Sequence, residues 1–225
     1  MLTHANLQTS TCPLCSHKAD YFLNFATKMN NRTYYRCKNC VSVHLQKNEI
    51  LNFKQEKQRY AMHNNDVEDA RYQKFVSPLS KQILKDQNKD AKGLDYGCGP
   101  GPVITHILKN NGFHNIALYD PYFFPDKNKL KEKYQFIICC EVIEHFSHPA
   151  KEFIKIKNLL VPNGKFYGKT ELLYKDLNID GFKEWWYKND PTHCFFYSKE
   201  TLKYITELNG FSSLIIKDKF FVLSN

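Results

Sequence analysis

Three glycines at alternate positions, Gly97, Gly99 and Gly101, follow Asp95 at the end of a short apolar run. Glycine tolerates positive φ and lets a ligand approach the backbone, so this pattern is typical of a tight turn between a strand and a helix. A second acid, Asp120, ends the next apolar run. Backbone amides in the turn suit the polar tail of a nucleoside, and a carboxylate on the neighbouring strand suits its ribose hydroxyls. The two features together predict a nucleoside-binding site.

A second group of ionisable residues follows segment 134–140, whose continuous apolar character is typical of a strand buried on both faces. Glu141, Glu144 and His145 come directly after it, where the carboxyl end of a strand in an open α/β sheet places ligand-binding residues. The spacing predicts that Glu141 and Glu144 share one face of a helical turn. His193 lies in a later, aromatic-rich loop. We expect one or two of that loop's aromatic residues to line the pocket: Trp185, Trp186, Tyr187 and Phe196.

The string D-x-G-C-G-x-G resembles motif I of the class I S-adenosylmethionine-dependent methyltransferases, and the similarity covers about residues 66–225. The resemblance implies a Rossmann-like α/β domain in which the cofactor lies over the glycine turn and Asp120 binds its ribose. The cofactor-binding residues that it implies are Asp95, Gly97, Cys98, Gly99, Gly101, Asp120, Pro121 and Glu141. The acid that contacts adenine in that family has no secure match; Asp126 is one candidate, although an aspartate beside a proline more often belongs to a turn. The alternative is an ordinary glycine-rich turn in another α/β domain.

The E-V-I-E-H string at 141–145, with a later histidine, resembles two methyltransferase groups: the ubiquinone-biosynthesis O-methyltransferases and the small-RNA 3′-terminal 2′-O-methyltransferases. The second resemblance implies a divalent ion held by Glu141, Glu144, His145 and His193. Such a donor set suits Zn²⁺, Fe²⁺ or Co²⁺ better than Mg²⁺ or Mn²⁺. The ion would acidify an acceptor hydroxyl and aim its oxygen at the cofactor methyl group. Without a metal, the catalytic residues Glu144, His145 and His193 would include a histidine general base.

Two C-x2-C knuckles lie near the N-terminus, and their cysteines are Cys12, Cys15, Cys37 and Cys40. Four thiolates on two tight turns form the tetrahedral site that structural Zn²⁺ prefers, so the pattern predicts a zinc ribbon. About 40 residues are too few to hold a core without a metal. One alternative is a redox-active pair of knuckles, although no βαβ pattern surrounds them. Another is that His17 or His44 replaces one cysteine.

The elements that must position these residues fall into three regions: a zinc-ribbon-like module at 1–45, a partly helical linker at 46–65, and the α/β domain at 66–225. Pro78 interrupts the apolar pattern of the first helix of that domain and predicts a kink or a break. The interval between Asp120 and residue 134 is short for the helix, strand and helix of the class I pattern, so the third strand is shortened or missing. The last two apolar runs predict a hairpin that closes a seven-stranded sheet.

The composition limits the class of protein. The chain has 225 residues and a net charge of +9, and it contains no apolar run of the length that crosses a membrane. Residues 1–6 lack the features of a secretory signal, which predicts a cytoplasmic, reducing location. The lysines are spaced as on solvated faces, which favours an ordinary surface over a dedicated RNA-binding track.

These observations predict a methyltransferase that uses S-adenosylmethionine and a structural Zn²⁺, and they leave open whether a second divalent metal is bound. We expect O- or C-methylation of a small hydroxylated metabolite, since the N-P-P-Y signature of amino methylation is absent. One alternative is an RNA methyltransferase that uses the zinc module for RNA docking. The other is a non-catalytic interaction protein with a zinc ribbon on a degenerate methyltransferase fold. The identity of the acceptor and the oligomeric state stay open.

Overall fold

A computed structural model describes residues 9–26, 31–62, 66–174 and 177–225 of the chain. The expectation about a secretory signal at residues 1–6, and the end of the linker at 63–65, lie outside the described residues. Within the described ranges, no helix combines the length and the apolar character that a membrane crossing requires.

The described chain contains strands in two sheets and six α-helices. The strands are β1 (Thr9–Thr11), β2 (Lys18–Ala26), β3 (Asn31–Cys37), β4 (Val43–Leu45), β5 (Gly93–Tyr96), β6 (Ile116–Tyr119), β7 (Tyr134–Cys140), β8 (Leu160–Lys169), β9 (Phe195–Phe196), β10 (Ser213–Ile216) and β11 (Phe221–Ser224). The helices are α1 (Phe53–Tyr60), α2 (Ala70–Asp86), α3 (Val103–Asn110), α4 (Pro149–Leu159), α5 (Ile179–Glu184) and α6 (Lys199–Asn209).

The larger sheet has the strand order β10-β11-β8-β7-β5-β6. Strands β6, β5, β7 and β8 are parallel, and β11 and β10 add antiparallel at one edge. Strand β5 lies between β6 and β7 in this sheet. The chain therefore passes from β5 to β6 on one side of β5 and then crosses to β7 on its other side. The carboxyl ends of strands at such a switch point form the ligand crevice of open α/β sheets. The glycine turn, Asp120 and Glu141 follow these three strands, as the sequence predicts.

The mixed α/β fold class is confirmed, but the larger sheet has six strands in the described part of the chain rather than seven. A strand beyond β6 would need two crossover connections, each of a dozen residues or more. The interval between β6 and β7 instead holds a 3-10 helix, Lys127–Lys131, and a short bridge between Asp120 and Phe124. The third strand of the class I pattern is therefore absent between β6 and β7, as the shortness of this interval in the sequence predicts.

Helix α2 runs unbroken through Pro78, so the predicted break is wrong. Proline has no N–H to donate to the carbonyl four residues earlier, which belongs to Lys74. The Ser77 hydroxyl donates to that carbonyl at 2.9 Å and compensates for the missing bond. The buried face of α2, formed by Val76, Leu79 and Ile83, therefore continues across the proline and packs in the core.

The smaller sheet is antiparallel, has the order β1-β2-β3-β4-β9, and joins the N-terminal strands to the short strand β9 that precedes α6. Strand β9 pairs with β4, with Phe196 opposite Val43 and Phe195 opposite His44. The two regions also share a core, because the buried ring of Phe182 contacts both Phe22 and Tyr34, with centroid distances of 5.4 and 5.0 Å. The N-terminal module is thus packed into the α/β domain.

Candidate active site

A cavity of about 840 Å³ opens at the carboxyl ends of β5, β6 and β7. One part of its wall is the glycine turn and Asp120, and another part is formed by Glu141, His145 and His193. A single cavity therefore brings together residues of both groups that the sequence singled out, while Glu144 is fully buried and does not line it. Its volume lies within the range of small-molecule and cofactor sites.

The glycine turn begins with Gly97 at φ +80° and continues with Gly99 at φ +64°. Gly101 lines the cavity but does not adopt positive φ. A side chain at Gly97 would meet Val142, since a Cβ there would lie 2.6 Å from its nearest methyl carbon. The side of the turn that faces Val142 is therefore closely packed. The other side lines the cavity, to which Cys98 of the turn and Pro121 also contribute.

Asp120 connects the glycine turn to the end of β6. Its Oδ2 accepts a hydrogen bond from the Gly99 amide at 3.0 Å, and its Oδ1 accepts from the amides of Tyr122 and Phe123 at 2.8 and 3.1 Å. The side chain is almost fully buried and lines the cavity. Asp126, by contrast, accepts from the Asn128 amide at the start of the 3-10 helix and does not line the cavity. Its role is turn chemistry.

Asp95 lies at the end of β5, directly beneath the turn. Burial raises the pKa of its carboxyl from 3.8 to about 6, although a hydrogen bond from the Thr105 hydroxyl at 2.7 Å acts in the opposite direction. A buried carboxyl with a raised pKa is stabilised when a cation lies beside it. The glycine end of the cavity therefore offers backbone amides and two carboxyl groups.

Glu141 adopts φ +55°, and the 3-10 helix Ile143–His145 begins only after it. The prediction that Glu141 and Glu144 share one face of a helical turn is therefore wrong. Glu141 accepts a hydrogen bond from the buried ammonium of Lys169 at 2.8 Å and lies 2.9 Å from the Tyr187 hydroxyl. Burial and the nearby Glu144 raise its pKa to about 7. Glu141 lines the cavity, but its carboxylate is engaged with Lys169.

Glu144, His145 and His193 come together with their ligand atoms within 4.8 Å of one another. The Nε2 atoms of both histidines lie 3.9 Å from Glu144 Oε1. Each Nδ1 faces a backbone carbonyl: that of His145 lies 3.2 Å from the Thr192 oxygen, and that of His193 lies 2.7 Å from the Tyr187 oxygen. Because a carbonyl only accepts, Nδ1 must carry the proton in the neutral ring, and Nε2 presents a lone pair toward Glu144.

The electrostatics of this trio favour a cation between its members. Glu144 is fully buried; Tyr187 donates to its Oε1 at 2.5 Å, while Oε2 has no hydrogen-bond partner. Burial raises the pKa of Glu144 to about 7 and lowers the pKa of His193 to about 3. A buried carboxyl without a partner on one oxygen is costly, and a proton or a metal ion would remove that cost. Two imidazoles and one carboxylate form a recognised donor set for transition metals and zinc.

Helix α1, in the predicted linker, covers this end of the cavity and contributes residues that the sequence analysis missed. Glu56 accepts a hydrogen bond from the Tyr122 hydroxyl, and the ring of Tyr60 packs edge-on against His145 at 5.4 Å. Arg59 pairs with Asp190 at 2.8 Å. Burial raises the pKa of Glu56. The only local signal was the capping box of Asn52 and Gln55, which predicts a helix start but not its location over the site.

The aromatic loop divides between the cavity and the core. Trp186 and Tyr187 line the cavity, which confirms the expectation that one or two of the four do so. Trp185 and Phe196 are buried in the shared core.

The four knuckle cysteines, Cys12, Cys15, Cys37 and Cys40, form the second cluster of metal-binding atoms. Cys12 and Cys40 have sulfurs 3.6 Å apart, and Cys15 and Cys37 have sulfurs 3.4 Å apart. A tetrahedral zinc with bonds of about 2.3 Å would separate its sulfurs by about 3.8 Å, so the set fits the ion. His17 and His44 are outside the cluster; the His44 ring is buried and stacks between Tyr35 and Phe195.

Comparison with known proteins gives one family match. The family model described as a methyltransferase domain matches residues 67–214. Among curated proteins, none matches this chain.

Solved structures of low sequence identity share parts of the fold. The YcgJ protein of Bacillus subtilis is 16% identical over 62% of this chain and 71% of its own, with a TM-score of 0.46. An O-methyltransferase family protein of Burkholderia thailandensis is 11% identical over 75% of this chain and 61% of its own, with a TM-score of 0.48. CalO1, a methyltransferase of calicheamicin biosynthesis solved with S-adenosylhomocysteine, is 9% identical over 67% of this chain and 53% of its own, with a TM-score of 0.45. The chain thus spans less than two thirds of the second and third proteins, and at TM-scores below 0.5 none of the three supports an argument about its activity.

Proposed function

We propose that this chain, which belongs to the methyltransferase-domain family, uses S-adenosylmethionine to methylate an oxygen or carbon atom of a small hydroxylated metabolite. The observation that carries this proposal is the single cavity of about 840 Å³, which is lined by the glycine turn and also by His145 and His193, with the buried Glu144 directly behind the two histidines.

The glycine end fits the cofactor. The turn presents backbone amides to its polar tail, while Asp120 keeps acceptor capacity for ribose hydroxyls beyond the three amides it already binds. Asp95 supplies a buried carboxyl that suits the cofactor's ammonium group. S-adenosylmethionine, when bound, supplies an electrophilic methyl group on a sulfonium. The work of the chain is to hold that group in line with the acceptor atom and to exclude water.

The opposite end fits a small acceptor. Helix α1 covers it with Glu56 and Tyr60, and Trp186 and Tyr187 add aromatic surface for an organic ring or chain. A covered pocket of this volume, shared with a cofactor, leaves space for a metabolite but not for a helical nucleic acid. The same feature speaks against the RNA alternative.

We propose that Glu144, His145 and His193 hold a divalent ion, with Zn²⁺, Fe²⁺ or Co²⁺ preferred by the donor set. The partnerless Glu144 Oε2 and the two Nε2 lone pairs support this assignment. The ion, when bound, lowers the pKa of an acceptor hydroxyl. Glu141 is left out of this set because Lys169 engages it, and we assign it to the cofactor side of the cavity instead.

We further propose that the four knuckle cysteines bind a structural zinc and that residues 1–45 are the zinc-ribbon-like module, 46–65 the connection and 66–225 the catalytic domain. A closed set of four thiolates leaves no open position for substrate. Such a site needs reduced cysteines, which is consistent with a cytoplasmic location.

The experiment that tests the acceptor class uses cofactor labelled with tritium on its methyl group. The protein is incubated separately with the small-molecule ultrafiltrate and with the purified RNA of a bacterial extract, and a Gly97→Val variant serves as the inactive control. We expect label in organic products of the ultrafiltrate only. Label that precipitates with RNA would overturn the proposal.

A further inference from the structure

Arg32, on strand β3 of the N-terminal module, reaches across into the catalytic domain. Its Nη1 donates to the carbonyl oxygens of Lys188 and Asp190 at 3.0 and 2.9 Å. Its Nη2 donates to those of His193 and Pro191 at 2.6 and 3.4 Å. Arg32 is only 6% exposed, so one buried guanidinium holds four carbonyls of segment 188–193.

The geometry requires a guanidinium. Segment 188–193 leaves a 3-10 helix at Asn189 and lies before strand β9, so no sheet holds its backbone. Within it the His193 amide donates to the Asp190 carbonyl at 3.2 Å, and the Arg32 guanidinium adds donors to four carbonyls. Buried carbonyls need such donors. A planar fork with five N–H groups can satisfy several carbonyls that converge on one side, whereas an ammonium is a point charge without that shape. Thr33, the next residue, is itself held by Glu49 through its amide and its hydroxyl, which stabilises the strand that carries Arg32.

The segment that Arg32 holds also carries the groups that orient the acceptor site. It includes His193 itself, and Thr192, whose carbonyl receives the Nδ1 proton of His145. It also includes Asp190, which pairs with Arg59 of the covering helix α1. A shift of this backbone would therefore move both histidines and the covering helix together.

The N-terminal sheet also holds the chain on the far side of His193. The Leu45 amide donates to the Cys194 carbonyl at 2.9 Å, and the Cys194 amide donates to the Glu144 carbonyl at the same distance. The Thr201 hydroxyl donates to the carbonyl of Cys40, one of the knuckle cysteines, at 2.8 Å. The module therefore contacts the segment before His193, the residue after it and the helix that follows.

We propose that Arg32 is a positioning residue of the acceptor site: by holding four carbonyls of segment 188–193 it keeps the His193 ring against the Tyr187 carbonyl that receives its Nδ1 proton, and so fixes the tautomer and direction of His193, which makes the N-terminal module a functional part of the catalytic centre. The proposal rests on the proposed function in so far as His193 faces the acceptor. The position of Arg32 itself depends only on the contacts above.

The test compares Arg32→Gln with a matched control, Arg36→Gln, in the full chain that carries one equivalent of zinc at the four cysteines and no metal at His193. Arg36 lies on the same strand and donates to a carbonyl too, but to that of Leu177 at 2.9 Å, outside segment 188–193. Two readouts are measured: hydrogen exchange of the amides of residues 189–194, and the ¹⁵N resonances of the His193 ring, assigned by their loss in His193→Gln. Zinc content and the calorimetric affinity for S-adenosylmethionine are measured beside them.

In the wild type and in Arg36→Gln we expect one Nδ1–H tautomer of His193 and slow exchange of the segment. In Arg32→Gln we expect exchange at least about tenfold faster, since bonds to a charged donor are lost. The ring resonances should move toward a mixture of tautomers, while zinc content and cofactor affinity stay unchanged. A purely structural role of Arg32 would lower thermal stability without changing the tautomer.

The proposal is overturned if Arg32→Gln keeps the wild-type tautomer of His193, whether or not the exchange of the segment becomes faster. Should Arg32→Gln lose its zinc, Arg32→Lys decides by the same criteria, because it keeps the charge but cannot reproduce the fork. Failure of the proposed function is seen separately, as a wild-type protein that shows no heat with S-adenosylmethionine.

Discussion

Replacement of Asp120 by asparagine should weaken the binding of S-adenosylmethionine about 100-fold. In the structure Oδ1 accepts two amide protons, from Tyr122 and Phe123, and Oδ2 accepts one from Gly99. The asparagine oxygen would take the place of Oδ1, since that keeps two bonds, and its amino group would then face the Gly99 N–H. The variant loses the carboxylate charge and the connection to the turn.

The magnitude follows from the ribose contact that the carboxylate is proposed to make. Three of the roughly four acceptor sites of the carboxylate already receive amides, so one remains for a ribose hydroxyl. One hydrogen bond to a buried charged acceptor, at the upper end of its range, contributes about 3 kcal/mol. This loss corresponds to roughly a 100-fold increase in Kd. Titration calorimetry with S-adenosylmethionine measures it directly.

The matched control is Asp126→Asn, which makes the same chemical change in the same interval of the chain. Asp126 only caps the 3-10 helix Lys127–Lys131, and an asparagine oxygen can accept the same amide. We expect unchanged affinity for this variant. If Asp120→Asn folds normally and binds the cofactor within about threefold of the wild type, the assignment of the ribose site is refuted, since a ribose carboxylate contributes more than that.

Three further outcomes are expected. Cys12→Ser should lose its zinc and unfold at a lower temperature, because one of four thiolates is gone; metal analysis and thermal denaturation check this, and a full zinc content would contradict it. Metal analysis should show that Glu144→Gln and His193→Gln each lose one divalent ion per chain while the zinc of the cysteines is kept. Glu141→Gln should keep both metals, because Lys169 engages that carboxylate. Equal metal content in all three variants would refute the proposed second metal site. Asp95→Asn should change the pH dependence of stability. Burial raises the folded-state pKa of Asp95 from 3.8 to about 6, so the folded protein retains a proton that the unfolded chain releases, and the resulting stability is complete below pH 3.8 and lost as the pH rises through 6. Denaturant unfolding of the cofactor-free protein should show a fall of about 1.4 kcal/mol between about pH 5 and about pH 8 that the variant lacks, and parallel profiles would contradict the assignment.

The sequence was sufficient for the elements whose signals are local. The glycine turn and the apolar strand β7 appear where the residue types predict them. Pro78 misled because the compensating hydroxyl of Ser77 satisfies the carbonyl of Lys74 within the helix. The count of seven strands was one too high, because the interval after Asp120 has no room for a further crossover.

The site was predictable only in part. The spacing of Glu141 and Glu144 predicts one helical face, but the positive φ of Glu141 turns its side chain toward Lys169, and nothing in the residue type announces that conformation. The partly helical linker was predicted, but the role of Arg32 and the location of α1 over the site were missed, because their contacts join parts of the chain that are far apart in sequence. Local periodicity contains no information about such contacts.

The pairing of β4 with β9 has a consequence for how a newly made chain folds as it leaves the ribosome. Val43 and Phe196 are partners although they lie roughly 150 positions apart, so the first region to emerge waits about 10 to 30 s, at usual rates of synthesis, for its last strand. During that interval β4 is an edge with unpaired backbone groups. Nascent or truncated chains that end before residue 195 should therefore self-associate through β4, and a catalytic fragment that begins at residue 66 should leave β9 without its partner.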